Sequence, residues 1–218
     1  MKINLDELSA REINKFLCSI VILRLIAWVT TINRQGLVNV APFSSINVFG
    51  AEPATVILGL EHHAGGSQKN TTRNIEETSE YTINILTPDL NDVIVANAAC
   101  YSADIGEAMA LELELTPSAK IAPHRLTCAP VSLGCRKNMA LSLSLERSTV
   151  IGEAIALSAH DGLIDVECNY VNWNGNHPTS SFYGDKYARL VKTESQIIPA
   201  RAHEITHKNS EGYHEIHI

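Results

Sequence analysis

The sequence predicts a mainly β protein with helical decorations, in which antiparallel strands close into a β-barrel. Two observations carry this prediction. Short stretches rich in β-branched residues recur along the 218 residues, separated by turns that contain Gly, Pro or Asn. Helical signals are fewer and lie between the strands. Because no repeat, low-complexity segment or composition shift divides the chain, we expect a single domain over residues 1–218.

The strand predictions begin with a long strand over residues 20–32 and a turn over residues 33–36, in which Gly36 takes a positive φ. A strand over residues 37–41 completes a hairpin. Pro42 and Pro53 are expected at strand ends or edges because proline has no N–H to donate. Further strands are predicted at residues 45–49, 55–60, 81–85, 131–136, 141–145 and 149–159.

Three helices are predicted between these strands. Asn70 or Thr71 is the expected N-cap of a helix over residues 72–80. Glu76 and Glu77 are expected near the positive end of that helix. A second helix is expected to begin at Pro88 and run to about residue 101, and a third to cover residues 103–110.

Charge and cysteine usage narrow the class of protein. A net charge of −7 with no Lys/Arg cluster argues against nucleic acid as a partner. The five cysteines are odd in number and form no C-x-x-C pair, which indicates reduced thiols rather than a disulfide framework. The apolar run at residues 20–29 is too short for a membrane span, and Arg24 interrupts it. We therefore expect a cytoplasmic protein without a membrane partner.

The stretch after the first hairpin, residues 39–47, reads N-V-A-P-F-S-S-I-N. Backbone N–H groups beside hydroxyls and amides suit a ligand edge of alternating donors and acceptors, such as a flavin ring. The alternative is that Ser44, Ser45 and Asn47 only bond the neighbouring backbone.

Residues 69–75, K-N-T-T-R-N-I, place two cations and two hydroxyls at the predicted start of a helix. Helix N-termini bind phosphate through unpaired N–H groups, and Lys69 and Arg73 would add charge-assisted bonds. An ordinary N-cap with solvated charges is the alternative.

Together, these stretches resemble the flavin reductase-like family of FMN-binding split barrels, which is often associated with flavoprotein oxygenases. The family pattern is close to R-P-I-A-W-V-T-T…G…N-x-A-P-F-S-S-F-N, followed by K-D-T-x-R-N-I. The sequence matches it from residue 26, with Leu25 in place of Pro, Ile46 in place of Phe and Asn70 in place of Asp. Residues 130–135, 150–153 and 161–165 resemble later family strands. The resemblance thus covers a core at about residues 20–190, followed by a polar, His-rich tail.

The resemblance implies a homodimer with FMN as cofactor at the subunit interface and NAD(P)H as co-substrate. A flavoprotein oxygenase or another acceptor would take the electrons. No catalytic residue is assigned, because hydride transfer belongs to the cofactors. The residues implied to contact the isoalloxazine and ribityl chain are Asn39, Ala41, Pro42, Phe43, Ser44 and Ser45, with Thr30 and Thr31 on the adjacent strand. Those implied to hold the phosphate are Lys69, Thr71, Thr72, Arg73 and Asn74.

A late family segment, R-L-G-G-x-x-Y, departs from the pattern. It reads S-F-Y-G-D-K-Y from Ser181 to Tyr187, so the Arg and one Gly are lost. This leaves open an FMN-holding electron carrier without nicotinamide activity. A split-barrel binding module without cofactor is a third hypothesis.

The tail contains a rival motif, because residues 203–207 match the zinc-binding pattern H-E-x-x-H. The extended metzincin form needs Gly and His where Ser210 and Tyr213 stand. We therefore expect no metal site in this protein. His160 is expected to be a surface residue at a strand end rather than a substrate-binding one.

Overall fold

The computed structural model describes residues 2–91, 106–181 and 186–190, and the backbone alone of residues 206–209 and 212–215. Short 3₁₀ helices lie at Leu5–Glu7 and Pro88–Leu90. The α-helices of the described chain are α1 (Ala10–Ile20), α2 (Asn70–Thr78) and α3 (Glu107–Ala110). The strands are β1 (Arg24–Leu25), β2 (Ala27–Ile32), β3 (Val38–Phe43), β4 (Ile46–Ala51), β5 (Ala54–Glu61), β6 (Glu80–Ile85), β7 (Leu115–Thr116), β8 (Arg125–Leu126), β9 (Val131–Ser144), β10 (Arg147–Ala159), β11 (Ile164–Asp165), β12 (Tyr170–Val171), β13 (Ser180–Ser181), β14 (Tyr187–Ala188), β15 (Thr206–Asn209) and β16 (Gly212–Glu215).

Seven of these strands form one antiparallel sheet in the order β3-β2-β6-β9-β10-β5-β4. The smaller sheets are β1-β13-β14 and the pairs β7-β8, β11-β12 and β15-β16. This mainly β architecture with few helices confirms the predicted fold class.

The chain connectivity forces the large sheet to curl. Its two edge strands, β3 and β4, are joined only by residues 44 and 45. Two linking residues span at most about 11 Å, whereas the edges of a flat sheet of this width would lie roughly 29 Å apart. The two edges must therefore approach each other at this end. The ladder between β4 and β5 continues to Ser45, whose carbonyl accepts the Gly59 N–H at 2.7 Å. We call residues 44 and 45 the seam of the barrel.

Both faces of β2 are buried, because side chains alternate along a strand. Ala27 and Val29 face the interior of the barrel, where Ile75 of α2 joins the same apolar cluster. Ile26 and Trp28 belong to a second cluster on the outer face. The described residues thus contain two apolar cores, one on each side of β2.

The predicted long strand over residues 20–32 is wrong in its first part. Ser9 and Glu12 form a capping box, which starts α1, and the helix continues to Ile20. Leu23 then has a positive φ of 60°, and this change of backbone conformation separates the helix from β1 and β2. Of the predicted strand, Ile20 therefore ends a helix and residues 21–23 are irregular, whereas β1 and β2 are strands as predicted.

The prediction for α2 is wrong by about two residues at its start. The helix begins at Asn70 with Lys69 as the N-cap, and its first turn contains no acidic residue. Glu76 and Glu77 therefore lie in its C-terminal half, away from the positive end. Farther along, the two strands predicted between residues 131 and 145 are one strand, β9.

Several other predictions are confirmed. Gly36 has a φ of 85° in the turn between β2 and β3. Pro42 lies in the edge strand β3, and Pro53 lies in the turn between β4 and β5. Residues 92–105, which include most of the second predicted helix, lie outside the described residues.

Candidate functional site

The start of α2 is fixed to the β2–β3 hairpin by two buried hydrogen bonds. The Asn39 amide donates to the Thr71 hydroxyl at 2.9 Å, and the Asn74 amide donates to the Thr31 hydroxyl at 3.0 Å. All four side chains are buried. The structure therefore brings these four predicted site residues together, but it pairs their side chains with one another.

The cations at the same helix start remain on the surface. Lys69 and Arg73 are exposed, and Lys69 makes no side-chain cap to the helix. Arg73 donates only to the Gln68 carbonyl at 3.3 Å among the described contacts. A cleft of about 500 Å³ opens here between the turn at residues 33–35 and the α2 side chains Asn70, Arg73, Asn74 and Glu77. We call it the α2 cleft.

This donor set fits a phosphate group. The first N–H groups of a helix have no partner within the helix, and those of α2 receive no side-chain cap. Arg73 lines the α2 cleft, and Lys69 immediately precedes the helix without lining the cleft. The positive end of the helix dipole lies at the same place. Thr72 is also in this first turn, and its side chain is buried.

Strand β3 connects the α2 cleft to the seam. From Asn39 to Ser45 an extended chain covers about 20 Å. Ala41, Pro42 and Phe43 lie between them and are half-buried. The residues implied to contact the ribityl chain and ring therefore follow one another along β3 and the seam, starting beside the α2 residues implied to hold the phosphate.

A second and larger cleft, of about 960 Å³, opens at the seam end of β3. Residues of α1 line one side of it, and Arg24, Ser44, Ser45 and Ser181 line the other. Arg24 donates to the Ser44 hydroxyl at 3.1 Å and to the Ser181 hydroxyl at 3.2 Å. We call it the seam cleft. The sequence analysis did not assign Arg24 a role, although it is the first residue of the family motif.

Thr30 and Thr31 point to opposite faces of β2. The Thr30 hydroxyl donates to the His124 carbonyl at 2.6 Å on the outer face. Thr31 receives the Asn74 amide on the other side. The structure therefore does not direct these two predicted site residues toward one ligand face.

Asn84, at the centre of the sheet, is a residue that sequence reasoning missed. Its amide donates to the Trp28 carbonyl at 2.8 Å and to the Thr30 hydroxyl at 3.2 Å. Its carbonyl oxygen accepts from the Leu126 N–H and the Ser132 hydroxyl, both at 3.0 Å. One buried side chain thereby links strands β2, β6, β8 and β9.

Glu107 of α3 is a second residue that the sequence did not indicate. Its buried carboxylate accepts the Val40 N–H at 2.7 Å. The backbone N–H of Val40 points to the free edge of β3. Pro42, two residues further on, faces the same edge but has no N–H that would need an acceptor. Glu107 thus satisfies an edge donor of the strand that joins the two clefts. Burial raises the pKa of Glu107 to about 7, although the Val40 hydrogen bond lowers it.

Substituting Glu107 with Gln is expected to remove a pH dependence of stability. A carboxyl whose pKa is raised on folding binds more protons in the folded state, so wild-type stability falls between about pH 4.5 and pH 7. Above pH 7 the variant should be the more stable by roughly 1–2 kcal/mol, after allowance for solvent screening. Urea unfolding at pH 5 and pH 8 measures the difference, with the exposed Glu114→Gln as control. If Glu107→Gln changed the free energy of unfolding equally at pH 5 and pH 8, the raised pKa of Glu107 would be contradicted.

The late segment and the tail are only partly described. Ser181 and Tyr187 lie in β13 and β14, while residues 182–185 lie outside the described residues. His160 is exposed, follows β10 and contacts the Thr127 carbonyl at 2.9 Å, as expected for a surface residue. In the H-E-x-x-H match, His207 lies in strand β15 rather than on a helix, and His203 is outside the described residues.

Solved structures with the same architecture define the class of the fold. The 2-nitrobenzoate 2-nitroreductase NbaA of Pseudomonas fluorescens is 28% identical, with a TM-score of 0.83 over 92% of this chain and 97% of its own. Component B of the Bacillus cereus nitrilotriacetate monooxygenase is 23% identical, with a TM-score of 0.84 over 90% and 98%. A Shewanella frigidimarina protein assigned as a flavin reductase with a split barrel domain is 18% identical, with a TM-score of 0.77 over 91% and 100%.

The fold is therefore a split barrel of the flavin reductase type. Residues 22–178 match the flavin reductase like domain, which is most of the chain. The chain belongs to the flavin reductase-like family. No helix among the described residues is long and apolar enough to cross a membrane.

Proposed function

We propose that the protein binds FMN along β3 and acts as an NAD(P)H-dependent flavin reductase, as one domain in the cytoplasm. The α2 cleft would hold the phosphate, and the seam would border the isoalloxazine. Reduced flavin or its electrons would pass to an acceptor such as a partner oxygenase. Relatives in the fold include a component of a monooxygenase, which supports that choice of acceptor.

The proposal rests on the different surroundings of two groups of side chains at the start of α2. Thr31, Asn39, Thr71 and Asn74 are occupied in fixing the helix to the hairpin. Lys69 and Arg73 are exposed, and the first N–H groups of α2 receive no side-chain cap. A rigidly held helix start with unused donors is a preorganised phosphate site.

Bound FMN would supply the hydride and electron chemistry at its ring. The protein would hold and orient the ring. Pro42 offers half-buried apolar surface on β3, whereas its neighbour Phe43 packs against the barrel core and would contribute through the position of the strand. The exposed Ser45 and the half-buried Ser44 offer hydroxyls at the seam. Thr30, whose hydroxyl is engaged by Asn84 and His124, would contribute through the position of β2 alone.

We also propose a homodimer, because the described chain leaves large apolar side chains in solvent. Phe49 of β4 is 78% exposed, and Leu143 of β9 and Leu145 in the following turn are 69% and 70% exposed. Exposed apolar patches of this kind mark association surfaces. Light scattering on the FMN-loaded protein should give twice the chain mass of 23.8 kDa. A monomer with FMN bound would contradict the dimer while leaving the cofactor assignment intact.

An FMN-holding electron carrier and a cofactor-free binding module are the alternatives to a flavin reductase, and one experiment separates the three. The protein is loaded with FMN, desalted and mixed anaerobically with NADH or NADPH. A flavin reductase retains the flavin absorption band and loses it on addition of the nicotinamide. An electron carrier retains the band but is reduced only by dithionite. A cofactor-free binding module retains no band, which would contradict the proposed function.

A further inference from the structure

We propose that the seam cleft binds the anionic group of a second substrate, and that Arg24 receives this carboxylate or phosphate. The inference rests on the proposed function in one respect: it takes this second substrate to react with the bound flavin. The anion site itself is defined by residues outside the α2 cleft.

The charges that line the seam cleft oppose the charge of the whole chain. Arg11, Lys15, Arg24 and Arg147 line it, against two carboxylates, those of Glu12 and Glu61. The full chain has a net charge of −7. A local excess of positive charge on an acidic protein concentrates anions at that place.

Both carboxylates already have partners. Glu61 pairs with Arg147 at 2.6 Å. The Glu12 carboxylate accepts from the N–H of Ser9 at 2.9 Å and from its hydroxyl at 2.6 Å, as part of the α1 cap. Within the described part of the chain, no carboxylate lies within 4.0 Å of Arg24.

Among the described residues, the guanidinium of Arg24 is held by neutral groups only. Its two terminal nitrogens donate to the neutral hydroxyls of Ser44 and Ser181. Its Nε is buried and has no hydrogen-bond partner among the described residues. A half-buried cation without a counterion is costly, whereas an oriented guanidinium is well suited to a carboxylate or phosphate.

The position of Arg24 distinguishes this anion from the phosphate of FMN. Ser44 lies at the seam, at the end of β3 opposite the α2 cleft. An anion held by Arg24 would therefore belong to a molecule placed beside the flavin ring. A cleft of about 960 Å³ accommodates an aromatic carboxylic acid or part of a dinucleotide. The carboxylic acid and the dinucleotide both present anionic oxygens, which are the groups that Arg24 would bind.

The test is isothermal titration of the full-length protein with benzoate, its uncharged analogue benzamide, and NAD⁺. Wild type is compared with Arg24→Gln, and with Arg136→Gln, which removes an exposed arginine outside the cleft. We expect the wild type to bind benzoate or NAD⁺ and to bind benzamide at least tenfold more weakly than benzoate. Arg24→Gln should weaken the anion about tenfold or more, whereas Arg136→Gln should stay within twofold.

The outcome also identifies the source of the anion. Loss confined to benzoate indicates a carboxylate substrate, and loss confined to NAD⁺ indicates a dinucleotide phosphate. Equal affinities for Arg24→Gln and wild type, or no binding of either anion to wild type, would overturn the proposal. If Arg24→Gln does not fold, Arg11→Gln/Lys15→Gln on the exposed face of α1 replaces it. FMN retention is measured in parallel, so loss of the cofactor function and loss of the anion site are separate results.

Discussion

Replacing Asn84 with Ala is expected to lower the free energy of unfolding by more than about 4 kcal/mol, which is exceptional for one side chain. The substitution removes four hydrogen bonds at a fully buried position. It leaves the Leu126 N–H and the Ser132 hydroxyl without their acceptor in the core, and each unpaired buried group costs about 1–3 kcal/mol.

Urea unfolding followed by circular dichroism measures this effect. Asn14→Ala, on the exposed surface of α1, is the matched control and should change stability by less than about 0.5 kcal/mol. Asn84→Asp keeps the shape and one acceptor but loses both donors, so it should also be strongly destabilising. If Asn84→Ala lowered the free energy of unfolding by less than about 1 kcal/mol, the four hydrogen bonds of Asn84 would not stabilise the fold as described.

Replacing Gly152 with Ala is expected to cost about 2–4 kcal/mol through overpacking. A Cβ at this position would overlap the Tyr81 hydroxyl and lie 2.8 Å from the Arg136 carbonyl oxygen. Tyr81 is completely buried and cannot move aside, and the backbone carbonyl belongs to β9. Gly152 also sits at a register shift between β9 and β10.

The Tyr81→Phe substitution provides the test of this contact. The Tyr81 hydroxyl has no hydrogen-bond partner among the described residues, so its removal should change stability little. In the Tyr81→Phe background the cost of Gly152→Ala should fall by at least about 1 kcal/mol, which a double-mutant cycle would measure. The Arg136 contact remains, so the cost should not vanish. Strict additivity of the two substitutions would contradict the packing described here.

The sequence was informative where a local pattern determines local structure. The turn at Gly36, the hairpin that follows it and the edge position of Pro42 were all predicted from single residues. α1 was missed, although its Ser9-x-x-Glu12 capping box is a sequence signal. The apolar run at residues 20–29 begins only where α1 ends, at Ile20, so it says nothing about that helix.

The candidate site shows a different limit. The sequence grouped Thr30 with Thr31, although neighbours in the predicted strand face opposite sides. What it could not show was their partners, the His124 carbonyl and the Asn74 amide. Asn84 and Glu107 have no local signature, because their roles depend on partners distant in sequence: Val40 lies 67 residues from Glu107. The position of Arg24 between Ser44 and Ser181 likewise depends on the pairing of β1 with β13, which joins residues 157 positions apart.

The most direct test of the account is FMN retention by wild type and by Lys69→Ala/Arg73→Ala. Each protein is loaded with FMN, desalted and examined by visible absorption, with Lys2→Ala/Lys120→Ala as a control that removes the same charge outside the α2 cleft. We predict nearly stoichiometric flavin in wild type and control and loss of the flavin band in the Lys69/Arg73 variant, with folding intact. Equal retention by all three proteins would contradict the phosphate assignment at α2. Absence of flavin from folded wild type would contradict the redox function itself.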